Sequence, residues 1–124
     1  MFDHVSMGVR DLARSKRFYD AALAPLGYSC VYHDAGTLGY GDSAVRLWIT
    51  PTERPVPAEP ASGLHFCFAA AGTEAVHAFH GAALASGGED NGAPGPRPEY
   101  SAGYYAAFVT DPDGYRLEAF CRRA

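Results

Sequence analysis

The amino-acid sequence predicts an α+β fold built from two tandem βαβββ modules. An internal repeat predicts it first. Shifted by 61 residues, His4 falls on His65, Phe18 on Phe79, Ala21-Ala22-Leu23 on Ala82-Ala83-Leu84, and Gly27 on Gly88. The ends of the halves align with a shift of 70, which places Arg46-Leu47-Trp48 on Arg116-Leu117-Glu118. A fixed-period repeat sets the architecture before any single element does. The second observation is one order of patterns met twice: an alternating run, a helical stripe, then short alternating runs. The third is the proline-rich stretch 51–63 between the halves, with Pro51, Pro55, Pro57 and Pro60, which reads as an extended, semi-rigid linker. Residues 1–124 then form a single domain, with module 1 over about 1–50 and module 2 over about 64–124.

Residues 3–9 alternate as a strand, with His4, Ser6 and Gly8 on one face and Val5, Met7 and Val9 on the other. Asp11 is a helix N-cap. Leu12, Phe18, Tyr19, Ala22 and Leu23 then fall on one helical stripe, with Arg14, Ser15, Arg17 and Asp20 assigned to the wet side. Pro25 and Gly27 stop that helix. Three strands follow, near 28–33, 36–41 and 44–50, joined by Gly-containing turns. In module 2 a strand spans 64–70 and a helix 73–86. The connection from Gly87 to Gly103, rich in Gly and Pro, reads as a long loop suited to a lid. Strands 104–110 and 115–121 flank the turn Asp111-Pro112-Asp113-Gly114.

Composition narrows the function classes. A net charge of −4 argues against a nucleic-acid partner, whose phosphates need a basic patch, and the Arg14–Arg17 cluster reads as the wet face of a helix. No apolar run approaches the roughly 20 residues of a membrane span. The three cysteines, Cys30, Cys67 and Cys121, cannot all pair within one chain and show no CxxC spacing, so they read as thiols of a reducing compartment. With Met1 leading directly into the first strand, the expected location is cytoplasmic. Modules this small are expected to share a sheet or to pair with a second chain as a homodimer.

Strand parity singles out the chemistry. In Leu64-His65-Phe66-Cys67-Phe68, His65 and Cys67 share a face opposite three large apolar residues; in the closing strand Arg116, Glu118 and Phe120 lie opposite Leu117, Ala119 and Cys121. A single His on a strand is usually structural. A carboxylate on a packed strand is costly unless paired or bound. His4, His65 and Glu118 at matched points of a repeat point instead to a metal site. Two His and one carboxylate fit either the facial triad of non-haem iron or a three-ligand zinc centre. Trp48 stands where the repeat would put a second Glu, so a ligand is lost there and an aromatic wall gained. Trp48, Tyr104 and Phe108 are candidate walls, and Arg46 and Arg116 candidate anion clamps. No GxGxxG or Walker-type loop is present.

These residues carry a resemblance. The opening His4-Val5-Ser6-Met7-Gly8-Val9-Arg10-Asp11-Leu12, the following Ser15-Lys16-Arg17-Phe18-Tyr19 and the closing Asp111-Pro112-Asp113-Gly114-Tyr115-Arg116-Leu117-Glu118 resemble the vicinal oxygen chelate superfamily, over the whole length. That superfamily groups glyoxalase I, extradiol dioxygenases, and fosfomycin and bleomycin resistance proteins. The resemblance implies paired βαβββ modules whose curved mixed sheets enclose a metal cavity, commonly within a homodimer. It implies that His4, His65 and Glu118 match metal-ligand positions, for a divalent Fe, Zn, Ni or Mn. Glyoxalase I has a Glu where this chain has Trp48, whereas extradiol dioxygenases use the three-ligand pattern kept here. The implied function is that of a metal-dependent lyase or dioxygenase acting on a small molecule that chelates through vicinal oxygens. The alternative is a metal-free protein of bleomycin-resistance type that sequesters its ligand.

Overall fold

A computed structural model describes residues 1–57 and 59–123. Module 1 contains β1 (Val5–Val9), α1 (Leu12–Leu23), β2 (Ser29–Asp34), β3 (Thr37–Gly41) and β4 (Val45–Pro51). Module 2 contains β5 (Phe66–Ala69), α2 (Thr73–Ala85), β6 (Glu89–Pro96), β7 (Tyr104–Thr110) and β8 (Arg116–Arg122). Each module forms one four-stranded mixed sheet, in the order β1-β4-β3-β2 and β5-β8-β7-β6. The first strand of each module runs parallel to the last, and the other pairs are antiparallel. The repeat extends to the register: Ser6 stands opposite Trp48, and Cys67 opposite Glu118.

Local chemistry sets the helix ends. The Asp11 carboxylate accepts the Arg14 amide at 3.0 Å, capping α1. Gly27, at φ 87°, then takes the left-handed conformation that ends the following 3₁₀ turn. The buried faces of both helices meet the sheets in one core. Phe18, Tyr19, Ala22 and Leu23 join Val9, Leu38, Tyr40 and Ile49; Val76, Phe79 and Ala83 join Val109, Leu117 and Ala119. The repeat pairs Phe18 with Phe79 and Ala22 with Ala83, and all four are fully buried. The modules meet where α1 and its 3₁₀ extension (24–26) lie against α2. The two sheets share no strand pairing, which leaves β1 and β5 each as an open edge.

The DPDG turn also ties the modules together. Tyr19 of α1 donates its hydroxyl to Asp111 Oδ2 at 2.6 Å, and Arg14 donates to Asp113 Oδ1 at 3.1 Å. Asp111 Oδ1 accepts the amides of Asp113 and Tyr115, at 2.9 and 2.8 Å. The Tyr115 hydroxyl reaches back to the Gly8 carbonyl at 2.7 Å. Burial raises the Asp111 carboxyl above its ordinary 3.8, against the downward pull of these hydrogen bonds.

Two expectations are corrected. The connection 87–103 is not an open loop: β6 occupies Glu89–Pro96 and pairs with β7, with irregularities between Asp90 and Gly92 and between Gly92 and Gly95. As the edge of its sheet, this strand tolerates Pro94 and Pro96, whose missing amides would break an interior ladder. Ser15 is not on the wet side of α1. It is fully buried, because it shares the i, i+3, i+4, i+7 stripe with Phe18, Tyr19 and Ala22. Among the described residues, no helix is long and apolar enough to cross a membrane.

Candidate functional site

The face of the module 2 sheet opposite the helix carries the densest chemistry. Glu118 on β8 stands opposite Cys67 on one side and Phe108 of β7 on the other. Cross-strand partners share a face, and alternation adds Tyr104 of β7 and His65, which immediately precedes β5. Glu118 is only 2% exposed, and both its oxygens are engaged. His65 Nε2 lies 3.0 Å from Oε1, and the Tyr104 hydroxyl donates to Oε2. The sequence argument that this carboxylate must be paired or bound is met by pairing. Desolvation, reinforced by the bond to Glu118, raises the Tyr104 phenol well above its ordinary value and keeps it a hydrogen-bond donor. Desolvation and the Glu118 carboxylate push the Cys67 thiol up to about 12.

His65, Tyr100, Tyr104, Phe108, Arg116 and Glu118 line one pocket of about 310 Å³. Five of the eight predicted site residues therefore converge: His65, Glu118, Tyr104, Phe108 and Arg116. The other three, His4, Arg46 and Trp48, lie on module 1. His4 Nδ1 is 2.7 Å from the Asp3 carboxylate, and Arg46 donates to the Asp3 carbonyl at 3.0 Å. Trp48 lies on the face away from the core residues Leu47 and Ile49. Its ring sits edge-on to Tyr32, with centroids 5.5 Å apart. Gly39 makes room for that ring, since a Cβ there would come within 2.9 Å of Trp48 Cζ3.

Among the described residues, no group of three His, Cys, Asp or Glu side chains is placed to hold a metal. Within the chain His65 and Glu118 lie together, and His4 turns to Asp3. The donors present suit a metal nonetheless. Two cis ligands about 2.1 Å from an ion stand about 3.0 Å apart, the His65–Glu118 spacing, which serves a hydrogen bond equally well. With His4 Nδ1 turned to Asp3, its Nε2 is the nitrogen left to ligate, in the manner of carboxylate-oriented metal histidines. Between the modules runs an apolar cleft of about 550 Å³, bordered by Phe2, Val5, Leu64, Phe66, Arg46 and His65 among others. Phe2 is 77% exposed beside it.

Strand parity identified the pocket residues. It missed Tyr100, which lies within the 87–103 connection, as a lining residue, and it missed Cys67 beside Glu118. The alternation that put Cys67 on the His65 face was the available signal for the latter.

The family model described as the Glyoxalase/Bleomycin resistance protein/Dioxygenase superfamily matches residues 1–119. Among solved structures, a glyoxalase/bleomycin resistance protein from Albidiferax ferrireducens is 36% identical, with a TM-score of 0.87 over 98% of this chain and 99% of that one. A fosfomycin resistance protein, FosX, from Listeria monocytogenes is 16% identical with a TM-score of 0.72, covering 97% of this chain and 91% of that one, a likeness of fold. A glyoxalase I variant from Zea mays is 24% identical with a TM-score of 0.65, covering 94% of this chain and 44% of the longer one. No curated protein matches. Family model, whole-length identity and the twice-repeated βαβββ order agree, and the chain belongs to the Glyoxalase/Bleomycin resistance protein/Dioxygenase superfamily.

Proposed function

We propose that this chain is a metal-dependent enzyme acting on a small molecule that chelates through adjacent oxygens. The observation that carries the reading is the buried Glu118 carboxylate, held between His65 and Tyr104 at the bottom of an aromatic pocket. A bound divalent ion would act there as a Lewis acid, stabilising an enolate- or catecholate-like anion. His65 and Glu118 hold the ion. Tyr104 fixes the second carboxylate oxygen, and Phe108 and Tyr104 wall the substrate. The third ligand is His4, contributed by a second copy of the chain. Support for that pairing comes from the open edges β1 and β5, which need covering, and from the apolar cleft beside them. In this reading β1 of one protomer pairs with β5 of its partner about a two-fold axis, so that the partner's His4 would complete the site of His65 and Glu118. Three free thiols suit a cytoplasmic setting.

Elemental analysis of protein purified without chelator tests the metal reading: a bound divalent first-row metal supports it. Ligand binding by a wild type that neither retains nor takes up metal favours sequestration instead. Sedimentation at tens of micromolar, on the order of typical assay conditions, is expected to show a dimer; a monomer contradicts the shared site.

Trp48 tests the symmetry of the site. It occupies the register position of Glu118 in the other module, on the face away from the core. Trp48→Glu is therefore expected to add a fourth ligand and to tighten metal retention against a competing chelator by about tenfold. Unchanged or weaker retention would mean that this position lies outside the coordination sphere.

A further inference from the structure

We infer that the ligand of the module 2 pocket carries a carboxylate, held by Arg116. The inference rests on reading that pocket as the substrate site and adds the class of substrate. Arg116 opens β8 two residues before Glu118, on the same face, and lines the pocket with it. Its Nε is buried without a partner, and its guanidinium takes part in none of the ion pairs among the described residues.

Among the described residues, neighbouring Arg97 and Arg122 also lack an ion pair, but each has a hydrogen-bond acceptor and an aromatic face. Arg97 donates to the Ala93 carbonyl at 2.7 Å and lies over the Phe108 ring. Arg122 donates to Ser101 Oγ at 3.0 Å and lies over Phe120. Glu118, the acid that could neutralise Arg116, is committed to His65 and Tyr104. A partly buried guanidinium without a counter-charge is costly, and an anionic ligand offsets that cost.

The kind of anion follows from the count of charges. One guanidinium fork matches one carboxylate in a bidentate pair. A phosphate dianion would bring a second negative charge close to Glu118. Size follows from the strand. Two residues of rise separate Arg116 from Glu118 by roughly 6.6 Å, about the span of one aromatic ring with its substituents. Phe108, Tyr104 and Tyr100 give that body flat walls: the Tyr100 and Tyr104 centroids are 5.2 Å apart and those of His65 and Phe108 6.5 Å. The ligand class is therefore a ring-sized organic monoanion whose carboxylate sits about one ring's length from the oxygens that face His65 and Glu118.

The test compares para-fluorobenzoate with the neutral para-fluorobenzyl alcohol, titrated into the full-length protein and followed by fluorine NMR. Both titrations are run on protein as purified and again after chelator treatment. Wild type is expected to bind the carboxylate about tenfold or more tightly than the alcohol in both states. Arg116→Gln is expected to abolish the preference, and Arg116→Lys to keep part of it. Equal binding of the two probes by wild type, or an undiminished preference in Arg116→Gln, overturns the inference. A preference that vanishes on chelator treatment and survives Arg116→Gln assigns the carboxylate to the metal; it overturns the role of Arg116 and leaves the metal reading standing. Should Arg116→Gln fail to fold, wild type still decides. Para-fluorobenzoate, and not the alcohol, should slow modification of Arg116 by a dicarbonyl reagent, read by peptide mass spectrometry; equal rates overturn the inference.

Discussion

Asp111→Ala is expected to destabilise the protein by about 3–5 kcal/mol, measured by urea unfolding, a loss typical of a broken buried polar network. Asp111 is 3% exposed and accepts three hydrogen bonds: the Tyr19 hydroxyl at 2.6 Å, the Tyr115 amide at 2.8 Å and the Asp113 amide at 2.9 Å. Truncation orphans all three donors, and each buried orphan costs about 1–3 kcal/mol. Two of them shape the turn that starts β8, and the third joins α1 to module 2. Asp111→Asn should cost far less, because one amide oxygen can still accept the two backbone amides. Equal losses for Ala and Asn would place the stabilisation in the charge and not in the hydrogen bonds. The same pair of proteins gives a pH test. Burial holds the Asp111 carboxyl above 3.8. A raised acid stabilises the fold fully below its unfolded value, and that contribution is lost as pH rises through the folded value. The stability of wild type relative to Asp111→Asn should therefore decline from about pH 4 upward.

His65→Ala is expected to lower metal affinity by about a hundredfold or more and to cost about 1–3 kcal/mol of stability, because Glu118 Oε1 loses its partner. Loss of even an outer-shell partner typically costs 10–100-fold in affinity, and His65 is assigned to the inner shell. Its side chain is 43% exposed, so truncation leaves no large cavity. Glu118→Ala should lose the metal and also destabilise the protein, since it leaves the Tyr104 hydroxyl without its acceptor. Unchanged metal content in His65→Ala removes the pocket from the metal site.

Periodicity made much of this fold legible. The repeat specified two equal modules, and period-2 alternation put His65, Glu118, Phe108 and Arg116 on one face because strands alternate without exception unless a bulge intervenes. The strand Glu89–Pro96 was hidden because its sequence, Glu-Asp-Asn-Gly-Ala-Pro-Gly-Pro, contains no β-branched or aromatic residue; pairing with β7 makes it a strand, and its edge position makes its prolines tolerable. Ser15 was hidden because its polarity outweighed its spacing. Asp111 and Asp113 read as turn residues, and their link to Tyr19 and Arg14 is tertiary, beyond the reach of any local pattern. The repeat placed His4 and His65 at equivalent strands, but equivalence within a chain does not say whether equivalent residues meet in the same molecule. Helix-to-helix packing of the modules leaves His4 with Asp3 and β1 unpaired on one side.

The central claim is that each metal centre draws His65 and Glu118 from one protomer and His4 from its partner. The most direct measurement is the metal content of a hybrid dimer, purified through two different affinity tags, that pairs a His4→Ala chain with a His65→Ala chain. With sites shared across the interface, both substitutions fall in one site and the other stays intact, so the hybrid should carry half the metal of wild type while each homodimer carries almost none. A hybrid as empty as the two homodimers would contradict the account.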